Sequence, residues 1–169
     1  MEKSAAPAGL NSVFSNIENN GAPWQFSRED RLKWTEGMNI SVPVMKDLFT
    51  RGKNPEYLFW VGSAGAYDDR YKNVSRAMIK ILDHLKVSFA VLGVEETSTA
   101  DAARRAGNEM LYQMQALMII DLLKNYKIHK ILTLIYWKGK KFWLGKLAEN
   151  PEIMSQGRTL KELVENIKD

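Results

Sequence analysis

The residues with chemical potential sit in three places. The run Gly62-Ser63-Ala64-Gly65 follows an apolar stretch and precedes a helical pattern. Such a turn can present backbone N–H groups to an anion. It lacks the third glycine of a dinucleotide loop, and the residue two before Ser63 is Val61, not the glycine of a nucleophile elbow. Gly62, Ser63, Ala64 and Gly65 therefore read as a structural turn, with an anion site as the alternative. Asp68, Asp69 and Arg70 open the next helix, where acidic groups complement the dipole. Glu95, Glu96 and Asp101 fall in a later loop facing the same sheet edge. Gathered carboxylates can do acid–base work, but no histidine lies in either loop. Pairing with Arg104 and Arg105 is the expectation for them. His84 and His129, the only two histidines, stand alone and read as surface or capping residues.

These groups need a scaffold, and composition limits what it can be. The chain has 169 residues, 45% hydrophobic and 26% charged, as ordinary globular proteins have. It contains no cysteine. That excludes disulfides, cysteine-ligated zinc and thiolate-held clusters, so no cofactor is expected. No run approaches the roughly 20 apolar residues of a membrane span. The N-terminus lacks the apolar core of a signal peptide, and a cytoplasmic location is expected. The net charge is +4, and residues 130–169 hold most of it, with eight basic against five acidic groups. Lys138, Lys140 and Lys141 around a turn suggest at most weak, non-specific nucleic-acid contact. No partner is otherwise implied.

Spacing then orders the elements. Residues 1–56 read as an irregular arm with short helices: Ser27 as a cap, a stop at Gly37, and Pro43 opening a second helix. Trp24 and Trp34 are expected to pin this arm to the core. Residues 57–61 form an apolar run typical of a buried parallel strand. A helix over 69–85 places Val74, Ala77, Met78, Ile81, Leu82 and Leu85 on one face. A strand over 87–92, a helix over 101–125 and a strand over 128–137 follow. The fold class is α/β: a three-layer mixed sheet with a parallel β-α-β-α-β core. It is extended by an antiparallel hairpin through residues 142–147 and a C-terminal helix, which Thr159 and Glu162 open as a capping box.

The runs Asn16-Ile17-Glu18-Asn19-Asn20-Gly21, Phe59-Trp60-Val61-Gly62-Ser63-Ala64-Gly65-Ala66-Tyr67-Asp68-Asp69-Arg70 and Glu95-Glu96-Thr97-Ser98-Thr99-Ala100-Asp101 through Glu109 resemble the cysteine-rich CCG domain of heterodisulfide-reductase-like iron–sulfur oxidoreductases. The resemblance covers about residues 10–133. It implies that Ser63 and Ser98 stand at former cluster-ligand positions, where the family has cysteine. Ala100 and Ala102 stand where the family usually has glycine and proline. A further family cysteine pair is replaced after residue 133. Serine is a hard ligand with a far higher pKa than a thiol, so the resemblance implies the scaffold without the redox centre.

A second resemblance covers about residues 130–169. Lys130-Ile131-Leu132-Thr133-Leu134-Ile135-Tyr136-Trp137, with Ser155-Gln156-Gly157-Arg158-Thr159-Leu160 and the closing Glu165-Asn166-Ile167-Lys168, is similar to a HicB-type antitoxin domain. Such domains neutralise a small ribonuclease toxin. The two resemblances overlap inside one strand, 128–137, with no linker. The expected organisation is an arm at 1–56, a core at 57–133 and a hairpin unit at 130–169, in one compact body. The expected function is that of a non-catalytic, chimeric or designed fold with no catalytic residues. The alternatives are a degenerate electron-transfer oxidoreductase-like protein without its cluster, or a toxin- or RNA-binding module.

Overall fold

The computed structural model describes residues 8–128, 130–132, 134–138, 143–147 and 154–158. Its centre is a parallel sheet in the order β2-β1-β3, formed by β1 (Tyr57–Phe59), β2 (Phe89–Ala90) and β3 (Ile131–Leu132). Leu58 aligns with Ala90 on one side and Ile131 on the other. Successive side chains of a strand point to opposite faces. Phe59 joins Trp34, Ile79, Ile81, Leu82 and Val91 in one apolar cluster, while Leu58 joins Met45, Ala90, Leu92 and Tyr126 in another. Both faces of β1 are therefore buried, which explains its unbroken apolar run.

Helices supply those clusters. They are α1 (Ala8–Asn20), α2 (Met45–Thr50), α3 (Gly62–Tyr67), α4 (Asp69–His84), α5 (Asp101–Arg105) and α6 (Glu109–Asn125), with a 3-10 helix at Glu29–Thr35. α4 matches its predicted span to within a residue. Asp68 caps it by accepting from the Arg70 and Tyr71 N–H groups, and Val74, Met78, Ile81 and Leu82 are buried. Leu85, predicted on that face, lies beyond the helix and is half exposed.

Several expectations are corrected. The helix predicted over 101–125 is two helices, because Gly107 takes φ +84° and the Asn108 side chain caps α6 through the Leu111 N–H. The arm contains a 13-residue helix, α1, rather than short pieces alone. Ser27 does not cap the 3-10 helix; its hydroxyl is spent on Glu29. The second short helix is present as α2, but it starts at Met45 and Pro43 lies before it. The Pro43 carbonyl accepts from the Val91 N–H at 2.9 Å, and Val44 bridges Val91 in parallel, so this stretch adds to the sheet edge. Trp34 is buried as expected, but Trp24 is 42% exposed.

The predicted strand 128–137 divides between two sheets. β3 pairs with β1, whereas β4 (Leu134–Lys138) pairs antiparallel with β5 (Trp143–Leu147), which pairs with β6 (Met154–Gly157). The described strands thus form a three-stranded parallel sheet and a separate three-stranded antiparallel one, not a single mixed sheet. The predicted C-terminal helix, His129, Lys140 and Lys141 lie outside the described residues.

Candidate functional site

Residues 62–65, expected as a turn, are instead the start of α3, which begins just past the end of β1. Gly62 takes φ +75°, a conformation costly for any residue with a Cβ. This swings the chain into α3 and leaves the Val61 and Gly62 N–H groups pointing at one place. That place is filled by Glu96. The Gly62 N–H donates to Glu96 Oε1 at 2.7 Å and the Val61 N–H to Oε2 at 3.1 Å. The protein's own carboxylate thus occupies the position an external anion would take at these two donors.

Glu96 is delivered by the loop after β2, where Gly93 (φ +63°) lies against Leu32. The charge of Glu96 is met by Arg31, from the 3-10 helix, with Nη2 to Oε1 at 3.0 Å and both side chains 1% exposed. Arg31 reaches further. Its Nη1 donates to the Gly21 carbonyl at 3.4 Å, and Nη2 makes a long contact with Ser63 Oγ at 3.5 Å. Its guanidinium also sits 5.6 Å from the Tyr67 ring centroid. The Gly21 carbonyl accepts from the Ser98 N–H at 2.7 Å, and Ser98 Oγ accepts from the Ala100 N–H at 3.1 Å. One buried cation therefore lies between the loops carrying Ser63 and Ser98. Arg31, Trp34, Val61, Val91 and Glu96 pack without a water-sized space between them.

The other carboxylates do not join this centre. Glu95 accepts from the Tyr126 hydroxyl, and burial followed by that carboxylate raises the phenol pKa. Asp101 meets Arg105 at 3.8 Å, and Arg104 stacks on Tyr112 instead. The expected pairing of Arg104 and Arg105 with Glu95 and Glu96 is thus replaced; only Asp101 takes one of those arginines. Asp68 is held below the usual carboxylate range by the Arg70 N–H, and Asp69 pairs with Lys72. His84 is exposed. Among the described residues, no group of three or more His, Asp or Glu side chains is placed to hold a metal.

Arg31 was not legible as a site residue. It lies 65 positions from Glu96, and its only local signal is its place between Asp30 and Leu32 in a stretch that also buries Trp34.

Three relatives are similar to this chain over roughly three quarters of its length. The probable iron–sulfur-binding oxidoreductase FadF of Bacillus subtilis is 40% identical over 123 residues, 72% of this chain and 17% of the relative. The EtfAB:quinone oxidoreductase of Syntrophomonas wolfei is 36% identical over 129 residues, 75% of this chain and 18% of the relative. A probable membrane-anchored ferredoxin of Chromohalobacter salexigens is 35% identical over 133 residues, 79% of this chain and 19% of the relative. The chain spans less than a fifth of the length of each. No protein-family model matches it, and no solved structure does.

These relatives overturn two expectations. Natural proteins, two of them named oxidoreductases, share roughly three quarters of the chain at 35–40% identity, so it is not a designed chimera. The non-enzyme reading falls with it, because the relatives are named oxidoreductases. The CCG-like resemblance is consistent with them, and the HicB-type resemblance gains no support.

Proposed function

We propose that this chain is a degenerate oxidoreductase-like module: the scaffold of an iron–sulfur electron-transfer protein that holds no thiolate-ligated cluster. The scaffold reading rests on the oxidoreductase relatives. The single observation that carries the second half is the Arg31 guanidinium lodged beside Ser63 and paired with Glu96. An iron–sulfur cluster needs soft thiolate donors, and the chain has no cysteine. The Arg31–Glu96 pair fills the place beside Ser63, with no water-sized space left around it. The residues present do not fit the cluster.

Within this reading residues 57–133 are a CCG-like core, with helices as the outer layers over its parallel sheet. Contact with nucleic acid through Lys138, Lys140 and Lys141 is weak and non-specific. A filter-binding titration across salt checks that point, and a tight, sequence-selective complex contradicts it.

The decisive experiment is anaerobic reconstitution with iron and sulfide, followed by iron analysis and visible absorbance. The expected product is colourless and iron-free. Stoichiometric protein-bound iron overturns the proposal.

A further inference from the structure

A cavity of about 180 Å³ opens at the carboxyl end of β1. Phe59 and Trp60 line it from the strand end, and Val74, Ser75 and Met78 line it from α4. The space exists because α3 meets it with Ala64 and Gly65, whose side chains are a methyl and a hydrogen. Its position follows from the sheet. β1 lies between β2 and β3, so the chain leaves β1 for β2 on one side and later returns to β3 on the other. In open α/β sheets the crevice for a ligand lies outside the carboxyl ends of the strands at such a reversal.

Size and lining narrow the ligand. Sites for drug-sized molecules and cofactors run to about 300–1,000 Å³, so a nucleotide is too large. An apolar cavity of about 150 Å³ holds one benzene ring. Here Phe59, Val74 and Met78 are buried and apolar, and a methionine thioether packs well on an aromatic ring. None of the described lining residues is charged. A carboxylate or an ammonium group would lose its hydration there with no ion to pair with. The buried polar side chain of the lining is Ser75, 4% exposed. Its hydroxyl proton goes to the Gly65 carbonyl at 3.1 Å, which leaves the oxygen free to accept. We propose that this cavity binds an uncharged, single-ring aromatic molecule bearing a hydroxyl, with the ring against Phe59, Val74 and Met78 and the hydroxyl donating to Ser75 Oγ.

Phenol is the probe, and methyl NMR of the full chain with labelled Val and Met follows the lining directly. Phenol at millimolar concentration should shift the Val74 and Met78 methyl resonances along a saturable curve, because a ring current acts only at short range. Toluene should bind several-fold more weakly than phenol, and Ser75→Ala should erase that preference. Benzoate should leave the resonances in place. Ala64→Phe puts a ring of the protein's own into the cavity and should abolish phenol binding with an unchanged circular dichroism spectrum. The titrations of the unaltered chain decide the matter whatever the variants do to folding. Unmoved methyls, a shift that does not saturate, or benzoate or toluene binding as well as phenol overturns the proposal. So does phenol binding that a folded Ala64→Phe chain retains, or a preference for phenol over toluene that survives Ser75→Ala.

Discussion

Arg31 and Glu96 form an ion pair at 3.0 Å in which each side chain is 1% exposed. Two ions so far from water each lose several kcal/mol of hydration. Here the carboxylate recovers it through two backbone N–H groups and the guanidinium. The guanidinium is served less completely, since Arg31 Nε has no partner. The pair ties the arm to the start of α3 and to the loop after β2.

Removing one partner should be far worse than removing both. Glu96→Gln leaves Arg31 charged and buried, and should cost about 3–5 kcal/mol. Arg31→Met should cost a similar amount by stranding Glu96. The double variant should lose clearly less than the sum of the two. Urea unfolding of the three variants measures this; single losses below about 1 kcal/mol would show that the pair does not hold the loops.

A second prediction concerns how closely α3 approaches α4. A Cβ added at Gly65 would lie 2.6 Å from Ser75 Oγ and 3.1 Å from Val61 Cγ1. Ser75 cannot simply swing away, because its buried hydroxyl donates to the Gly65 carbonyl at 3.1 Å. Gly65→Ala should therefore destabilise by about 1–3 kcal/mol through overpacking. Adding Ser75→Ala removes the nearer clash and should recover part of that loss in thermal unfolding.

How much of this was legible in the sequence depended on the range of the cause. α4 was readable because its cap, Asp68, and its apolar spacing are local. The same logic would have found α1, since Leu10, Val13, Phe14 and Ile17 follow helical spacing and Gly21 (φ +66°) stops the run. The break between α5 and α6 was announced by Gly107-Asn108 but overridden by the apolar run beyond it. Residues 62–65 read as a turn but open the helix α3, whose entry presents the Val61 and Gly62 N–H groups. That Glu96 would meet them could not be found, because the partners are 34 and 35 positions apart and burial of a charge leaves no local trace. Trp24 and Trp34 look alike in sequence, yet only Trp34 meets the core cluster around Phe59.

Alkaline pH offers a third test. Tyr126 has its pKa raised above the ordinary 10.0, first by burial and then by the Glu95 carboxylate it donates to. The folded state therefore favours the protonated phenol. Below pH 10 both states keep the proton and the stability is fully present. As pH rises past 10 the unfolded chain ionises first, so stability falls with pH. Tyr126→Phe should flatten that alkaline slope. In an ultraviolet titration of the native protein, one tyrosine should stay protonated until unfolding; if all six titrate together near pH 10, the shift is not there.

The last prediction separates two opposing effects at Ala100. It holds φ +56° and ψ 25°, the left-handed region that glycine enters most readily. A residue with a Cβ pays roughly 1–2 kcal/mol there. The same methyl is wholly buried with Ile17, Ala103 and Leu111, which returns about 0.8 kcal/mol, and alanine orders its backbone at a lower entropic cost than glycine by about 0.5–1 kcal/mol. The terms nearly cancel. Ala100→Gly should therefore change stability by less than about 1 kcal/mol, small beside the loss at Glu96. A β-branched side chain has neither compensation: Ala100→Val adds bulk to a filled cluster and crowds the left-handed backbone. It should cost about 3 kcal/mol or more, and the Ser98 hydroxyl should lose its bond from the Ala100 N–H as the loop shifts. Denaturant midpoints for the two variants, read with hydrogen exchange at the Ala100 amide, test the argument. Equal losses for glycine and valine would mean that the backbone there is not left-handed.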